Sequence, residues 1–292
     1  MHFFFQDGII LICRNDDVNG KEDFQLFDFL YKNKLFDLMK SGESGDLSNF
    51  LLAHSGLVSV KDRQDNTPLH QAAARDMDSF LRLLISCGGG LDATNSEGRT
   101  PLHIALSNWS VTSARLLLRA GAHVRLVDNK GYGALHHGVV GFNRGRPPRD
   151  MDIINQLLDR GAHMEPAGDG QTPVHLASAG GWLDLVRLLL SRGGDPSLRT
   201  PGAGTPLHQA ARFGHLGVLS LLILRGCPVN ETDEYGRSAL HLAYENGHRK
   251  AIDLLEYNGA SRKIRDQQGR TPDQVEPSRE SGTSSILLKG FE

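Results

Sequence analysis

Cysteine is scarce. The three residues, Cys13, Cys87 and Cys227, are odd in number and far apart, and no C-x-x-C pair occurs. A disulfide framework and a zinc ribbon are therefore excluded, and reduced thiols in a cytosolic and/or nuclear protein are the expectation. Charge of one sign is also lacking. A formal net charge of −2 excludes the strongly basic balance of a dedicated nucleic-acid binder. Long apolar runs are missing too. Outside the N-terminus the longest, Leu216 to Leu224, is nine residues, against about 20 for a membrane span. The apolar start, Met1 to Cys13, has no basic flank, is interrupted by Asp7 and is followed by no small-residue cleavage site, so we expect neither a leader nor a membrane contact. No G-x-x-x-x-G-K-[ST], H-E-x-x-H or G-x-S-x-G occurs. We expect no enzyme, no catalytic residue, no cofactor and no metal.

Glycine, by contrast, is abundant, at 33 of 292 residues, and hydrophobic residues make up 39%. That is enough apolar material for a large core and excludes wholesale disorder. The glycines fall at regular intervals. Thr67-Pro-Leu-His70 recurs as Thr100-Pro-Leu-His103, Gly133-Ala-Leu-His136, Thr172-Pro-Val-His175, Thr205-Pro-Leu-His208 and Ser238-Ala-Leu-His241, with a worn copy at Thr271-Pro-Asp-Gln274. The starts at 67, 100, 133, 172, 205, 238 and 271 are 33 residues apart, except for one step of 39. An internal period of this length signals a stacked repeat architecture.

Each unit reads as a helix, a turn, a second helix and a projecting turn. Thr or Ser suits the N-cap, where its oxygen accepts an orphan N–H. Pro suits the first helical position, having no N–H to waste. Alanines such as Ala72, Ala73, Ala105, Ala177, Ala210, Ala211 and Ala243 let neighbouring helices approach. Apolar pairs at helical spacing follow, such as Phe80, Leu81, Leu84 and Ile85, and a glycine such as Gly88, Gly121 or Gly226 then ends the run.

T-P-L-H-x-A at a 33-residue period resembles the ankyrin repeat, and the resemblance covers about residues 35–276. It implies an all-α solenoid of antiparallel helix pairs with β-hairpin fingers, whose inner helices and fingers form a concave protein-binding surface. The domain reading is an N-terminal segment over 1–21, expected to be disordered, a cap with a degenerate repeat over 22–66, repeats over 67–276 and a flexible tail over 277–292. In the cap, Leu35 to Met39 reads as a degenerate inner helix and Leu47 to Leu52 as its outer helix. The implied function is a non-catalytic interaction module or scaffold, monomeric by itself, that binds a protein partner. The alternative is a substrate adaptor or regulatory subunit of a ubiquitin ligase or another enzyme complex.

The third copy departs from the pattern. It has Gly138 where Ala is usual, lacks Thr-Pro at its start and carries a longer inter-helix loop, Phe142-Asn-Arg-Gly-Arg-Pro-Pro-Arg149. These features predict the softest repeat, with Arg144, Arg146 and Arg149 as a candidate basic contact. The six periodic histidines are expected to hydrogen-bond locally between helix start and finger, not to bind metal. Framework positions being occupied, specificity falls to fingertips and to exposed inner-helix positions. The candidate contact residues are Arg75, Asn108, Arg212, Phe213, Glu234, Tyr235 and Glu245, with the densest cluster at 212, 213, 234 and 235. Phe213 packed on Trp182 is the competing role for that ring. By the same resemblance, Asn230 stands where the family's asparaginyl hydroxylase acts, although Pro228 replaces the usual acidic residue; a plain turn-stabilising Asn is the alternative.

Overall fold

The structure, a computed structural model, describes residues 2–6, 9–13, 34–37, 39, 55–143 and 151–275. Its twelve described α-helices come in pairs, one pair per repeat. They are α1 Pro68–Ala74 and α2 Asp78–Ser86; α3 Pro101–Ser107 and α4 Val111–Ala120; α5 Ala134–Phe142 and α6 Asp152–Asp159; α7 Pro173–Ala179 and α8 Leu183–Ser191; α9 Pro206–Arg212 and α10 Leu216–Leu224; α11 Ala239–Glu245 and α12 Arg249–Tyr257. The odd-numbered inner helices pack on one another in sequence, and behind them the outer helices pack as α2 on α4, α4 on α6, α8 on α10 and α10 on α12.

Each inner helix starts where the tetrapeptide predicts. The N-cap residues Thr67, Thr100, Thr172, Thr205 and Ser238 have extended backbone, and the following residue is the first helical one. The histidine at the third helical position takes the part that Glu or Gln plays in a capping box. His70 Nδ1 accepts the Thr67 N–H at 3.1 Å, and His241 Nδ1 accepts the Ser238 N–H at 3.0 Å. The worn copy keeps the same bond with Gln274, whose Oε1 accepts the Thr271 N–H at 3.1 Å above a short 3-10 turn, Pro272–Gln274.

The alanines meet the expectation, since Ala72, Ala73, Ala105, Ala177, Ala210, Ala211 and Ala243 are fully buried where inner helices approach. Outer helices contribute the larger side chains: Phe80, Leu81 and Leu84 of α2, Leu117 of α4 and Leu189 of α8 are fully buried. Full burial stabilises by about 1.5–3 kcal/mol per such side chain. The glycine that ends α4, Gly121, takes a left-handed φ of 99° and closes the helix. The fingers are tight turns with single bridges, Val127 to Gly133, Thr200 to Gly204 and Thr232 to Ser238.

Residues 34–37 and 39 are helical, and Leu35, Phe36 and Met39 join the core beside Leu57 and Val58. The expected outer cap helix over 47–52 lies outside the described residues, as do nearly all of the 22–34 segment and the tail over 277–292. Within 1–21, expected to be disordered, His2–Gln6 and Ile9–Cys13 pair as an antiparallel hairpin. Its sequence signal is Asp7-Gly8 between two apolar runs, the dipeptide that two-residue hairpins favour.

The third copy differs from its expectation in two respects. Phe142 is not a loop residue: it ends α5 and is buried. Its ring meets Trp109 edge-on at 5.3 Å and Trp182 at 5.5 Å, so it ties three consecutive repeats together. Nor is the glycine content of α5 simple weakness. The helix runs two residues longer than the seven-residue α3. A Cβ at Gly141 would collide with the Leu106 carbonyl oxygen, and one at Gly138 would stand 3.1 Å from Ile154 Cδ1. Both glycines let a longer helix lie close to its neighbours.

Candidate protein-binding surface

Fingertips and the C-terminal ends of the inner helices carry the expected contact residues. A backbone ladder orders the fingers: Ser96 N–H donates to the Gln64 carbonyl, Asn129 to Glu97, Gly168 to Lys130 and Gln267 to Tyr235. The equivalent position in the next finger after Gly168 is Pro201, which has no N–H to give. The ladder bond is therefore missing there; Glu234 N–H makes none either, and the ladder resumes at Gln267.

Past that break lies a connected polar group. Tyr235 projects from its fingertip with half its surface exposed. The Arg237 guanidinium lies 4.9 Å from the centre of the Tyr235 ring. The same guanidinium pairs with Asp233 at 2.8 Å and reaches Glu245 Oε2, on α11, at 3.3 Å. Finger and inner helix are thus joined through Arg237; Glu234, next to Tyr235 in the chain, and Arg212, at the end of α9, are exposed. Sequence reasoning selected Tyr235, Glu234 and Glu245 but missed Arg237. The available signal was Asp four residues before Arg in Asp233-Glu-Tyr-Gly-Arg237, repeated in Asp266 to Arg270, where the ion pair recurs at 2.7 Å.

Phe213 is half-buried and stacks on His215 at 6.3 Å, while Trp182, its partner in the competing role, meets Phe142. The Arg75 guanidinium donates to the Met39 carbonyl at 2.5 Å and so braces the cap. Asn108 Nδ2 reaches the Ala74 carbonyl at 3.4 Å. Arg144, Arg146 and Arg149 lie outside the described residues. Asn230 is exposed, but its carboxamide spans the next junction, donating to the Gly259 carbonyl at 3.1 Å and accepting from Ser261 N–H at 2.7 Å.

A second polar group is buried between the second and third repeats. His137 Nε2 stands 3.1 Å from Asp128 Oδ2, and its Nδ1 stands 2.8 Å from Ser107 Oγ. The carboxylate fixes the proton on Nε2, so Nδ1 accepts from the serine hydroxyl. The neighbouring His136 points elsewhere, to the Gln171 carbonyl at 3.1 Å, as the divergence of consecutive helix residues requires. Burial pushes the Asp128 carboxyl up, but the His137 hydrogen bond and the Tyr132 and Lys130 backbone N–H groups outweigh it and hold the pKa at about 2. Burial also keeps His103, whose ring lies tilted 4.8 Å from that of His137, neutral, with its pKa lowered to about 3. Tyr132 OH donates to Asp169 of the next finger; burial first, then that bond, raises its pKa.

The ring nitrogens of the periodic histidines are similarly occupied. Because Nδ1 accepts a backbone N–H, Nε2 carries the proton and donates to a carbonyl one repeat on. His70 reaches Arg99 at 2.9 Å, His175 reaches Gly204 at 3.2 Å and His208 reaches Arg237 at 3.1 Å. Among the described residues, no group of three or more His, Cys, Asp or Glu side chains is placed to hold a metal ion, and no helix is long and apolar enough to cross a membrane.

Comparison with known proteins gives the same repeat. The family profile described as ankyrin repeats (3 copies) matches residues 22–128, 69–144, 148–233 and 192–266. The human ASB11 ankyrin repeat domain superposes with a TM-score of 0.65 at 26% identity, over 77% of this chain and 97% of that one. The ankyrin repeat domain of Bcl-3, described as a unique member of the IkappaB protein family, superposes with a TM-score of 0.59 at 29% identity, over 77% of this chain and 99% of that one. No curated protein matches in the corresponding sequence search. The matched profile covers most of the sequence, with the capped helix pairs and fingers in the places it requires: the chain belongs to the ankyrin-repeat family.

Proposed function

We propose that this chain is a non-catalytic interaction module that binds a protein partner through its concave face, centred on Arg212, Phe213, Glu234, Tyr235 and Glu245. The observation that carries this reading is the exposed Tyr235 ring held against Arg237, which is itself fixed by Asp233 and Glu245. A partner meets an aromatic and a guanidinium already ordered, so little side-chain entropy is lost on binding. Tyr and Arg are also the residues that dominate interface energetics. Ankyrin repeats are generally protein–protein interaction modules, which supports the same reading.

Affinity capture followed by mass spectrometry identifies the partner, and alanine substitutions then test the site. Tyr235→Ala and Phe213→Ala should each cost more than about 1 kcal/mol of binding, with the thermal midpoint preserved. Normal binding by both variants would remove the partner from this cluster. Recovery of ubiquitin-ligase subunits bound through this chain would turn the reading toward a substrate adaptor.

A further inference from the structure

The outer layer of the solenoid is charged in every described repeat except one. Helix α2 carries Asp78 and Arg82, α4 Arg115 and Arg119, α6 Asp152 and Asp159, α8 Asp184 and Arg187, and α12 Arg249, Lys250, Asp253 and Glu256. Helix α10, Leu-Gly-Val-Leu-Ser-Leu-Leu-Ile-Leu, carries no charge. Val218, Leu219, Leu221 and Leu222 face the core and are buried. Leu216 and Ile223 are half-buried and pack against the core as well, which leaves Gly217, Ser220 and Leu224 exposed. Leu224 is 82% exposed, and Tyr257, its equivalent one repeat later, is 90% exposed. Core packing accounts for Leu216 and Ile223, but not for the exposed Leu224 or for the lack of charge at 217 and 220.

The register of the repeats gives this face a shape. Gly217 lies between Asp184 of α8 and Lys250 of α12, each 33 residues away, and Ser220 lies between Arg187 and Asp253. Two small residues thus sit in a row between longer side chains on both sides, with Leu224 and Tyr257 at one end. Adjacent helices pack about 8–10 Å apart, so α8 and α12 stand roughly 16–20 Å from each other. A helix lying on top of α10 would rest over Gly217 and Ser220 and meet the side chains of α8 and α12 at its two edges. The rim is basic. Arg187, Arg225 and Lys250 are exposed and form no ion pair among the described residues, against one such acid, Asp184; Asp253 is taken by Arg249 at 3.7 Å.

We propose that the outer face of α10, with Leu224 and Tyr257, docks an amphipathic α-helix of a partner protein whose apolar stripe is flanked by acidic side chains. The exposed Leu224 and Tyr257 beside an uncharged floor select the stripe, and the basic rim selects the flanks. The rim also disfavours a second copy of this chain, because a two-fold contact would set Arg187, Arg225 and Lys250 against their own counterparts. This site lies on the face opposite the concave surface and is independent of it.

The test uses the purified chain and two fluorescent 18-residue helical peptides. Both carry Leu at positions i, i+3, i+4 and i+7; one has Glu flanks and the other Lys flanks. Fluorescence anisotropy should show saturable binding of the Glu peptide, at least tenfold tighter than the Lys peptide, and weakened by salt. Leu224→Asp should weaken the Glu peptide at least tenfold with the thermal midpoint unchanged, and Arg187→Glu with Arg225→Glu should reverse the preference. Phe213→Ala should leave this binding untouched. Equal binding of both peptides, insensitivity to Leu224→Asp, or loss on Phe213→Ala would overturn the proposal. So would a concentration-dependent dimer that Leu224→Asp dissolves, since the occupant would then be a second copy.

Discussion

Acid should unfold this solenoid through its histidines. His103, His136 and His175 are almost wholly buried, and burial first of all lowers their pKa values to about 3, 4 and 4 from the ordinary 6.5. Their folded pKa lies below the unfolded one, so the native state binds fewer protons than the unfolded chain. The stability is complete above about pH 6.5 and falls as the pH drops toward the folded values. At pH 5.5 each unfolded imidazole gains about 1.4 kcal/mol by protonating while its folded counterpart stays neutral. The three together destabilise by about 4 kcal/mol, against a typical total of about 5–15 kcal/mol. His70, His137, His208 and His241 are buried and shifted in the same direction, so they add to this loss. Asp128 does not contribute in this window, because its stabilisation is present above about pH 3.8 and is lost only as the pH falls toward 2. Urea unfolding at pH 7.5 and 5.5 measures the difference, and nuclear magnetic resonance of the imidazoles should show these rings untitrated between the two. His175→Gln should keep the N-cap bond, as Gln274 does in the worn copy, and reduce proton uptake on unfolding by about one at pH 5.5. A urea midpoint unchanged or higher at pH 5.5 would refute the reasoning.

Phe142→Ala removes the ring between Trp109 and Trp182 and should cost about 3–5 kcal/mol in chemical denaturation; a loss below 1 kcal/mol would mean the aromatic contact is not holding the repeats together. Deleting residues 142–148 should therefore be far more damaging than deleting 144–149, by thermal melting of both variants. Gly141→Ala should destabilise by at least about 1–3 kcal/mol, because the added methyl meets a backbone carbonyl that cannot move independently; a neutral change would show that α5 and α3 can separate. In amide hydrogen exchange, Asn129, Gly168 and Gln267, which donate along the finger ladder, should be protected relative to Glu234, which has no such bond; equal rates would show that the ladder does not protect these amides.

The sequence by itself determined the period, the pairing of helices and the places where they begin, because these depend on residues close in the chain. Thr67 and His70 are three residues apart and close their own capping bond. The buried alanines and the choice of Tyr235 as an exposed fingertip residue were legible for the same reason: position within the repeat assigns each its side of the helix or turn. At the N-terminus the repeat offers no template, and the local signal for the hairpin is Asp7-Gly8 between two apolar runs. Only the tertiary structure decided how one repeat meets the next. His70 finds the Arg99 carbonyl 29 residues on, and Asn230 spans to Ser261 across 31. Phe142 reads as loop along the chain, yet Trp109 and Trp182, in the flanking repeats, make it core. Pro201 reads as one more turn residue, and only its place in a row of fingers makes its missing N–H an interruption. Arg237 is inconspicuous until the fold brings Glu245 of α11 beside the Tyr235 finger. A side chain's partners in a solenoid are supplied by the stacking of whole units, and a period in the sequence specifies that the units stack without naming which atoms then touch.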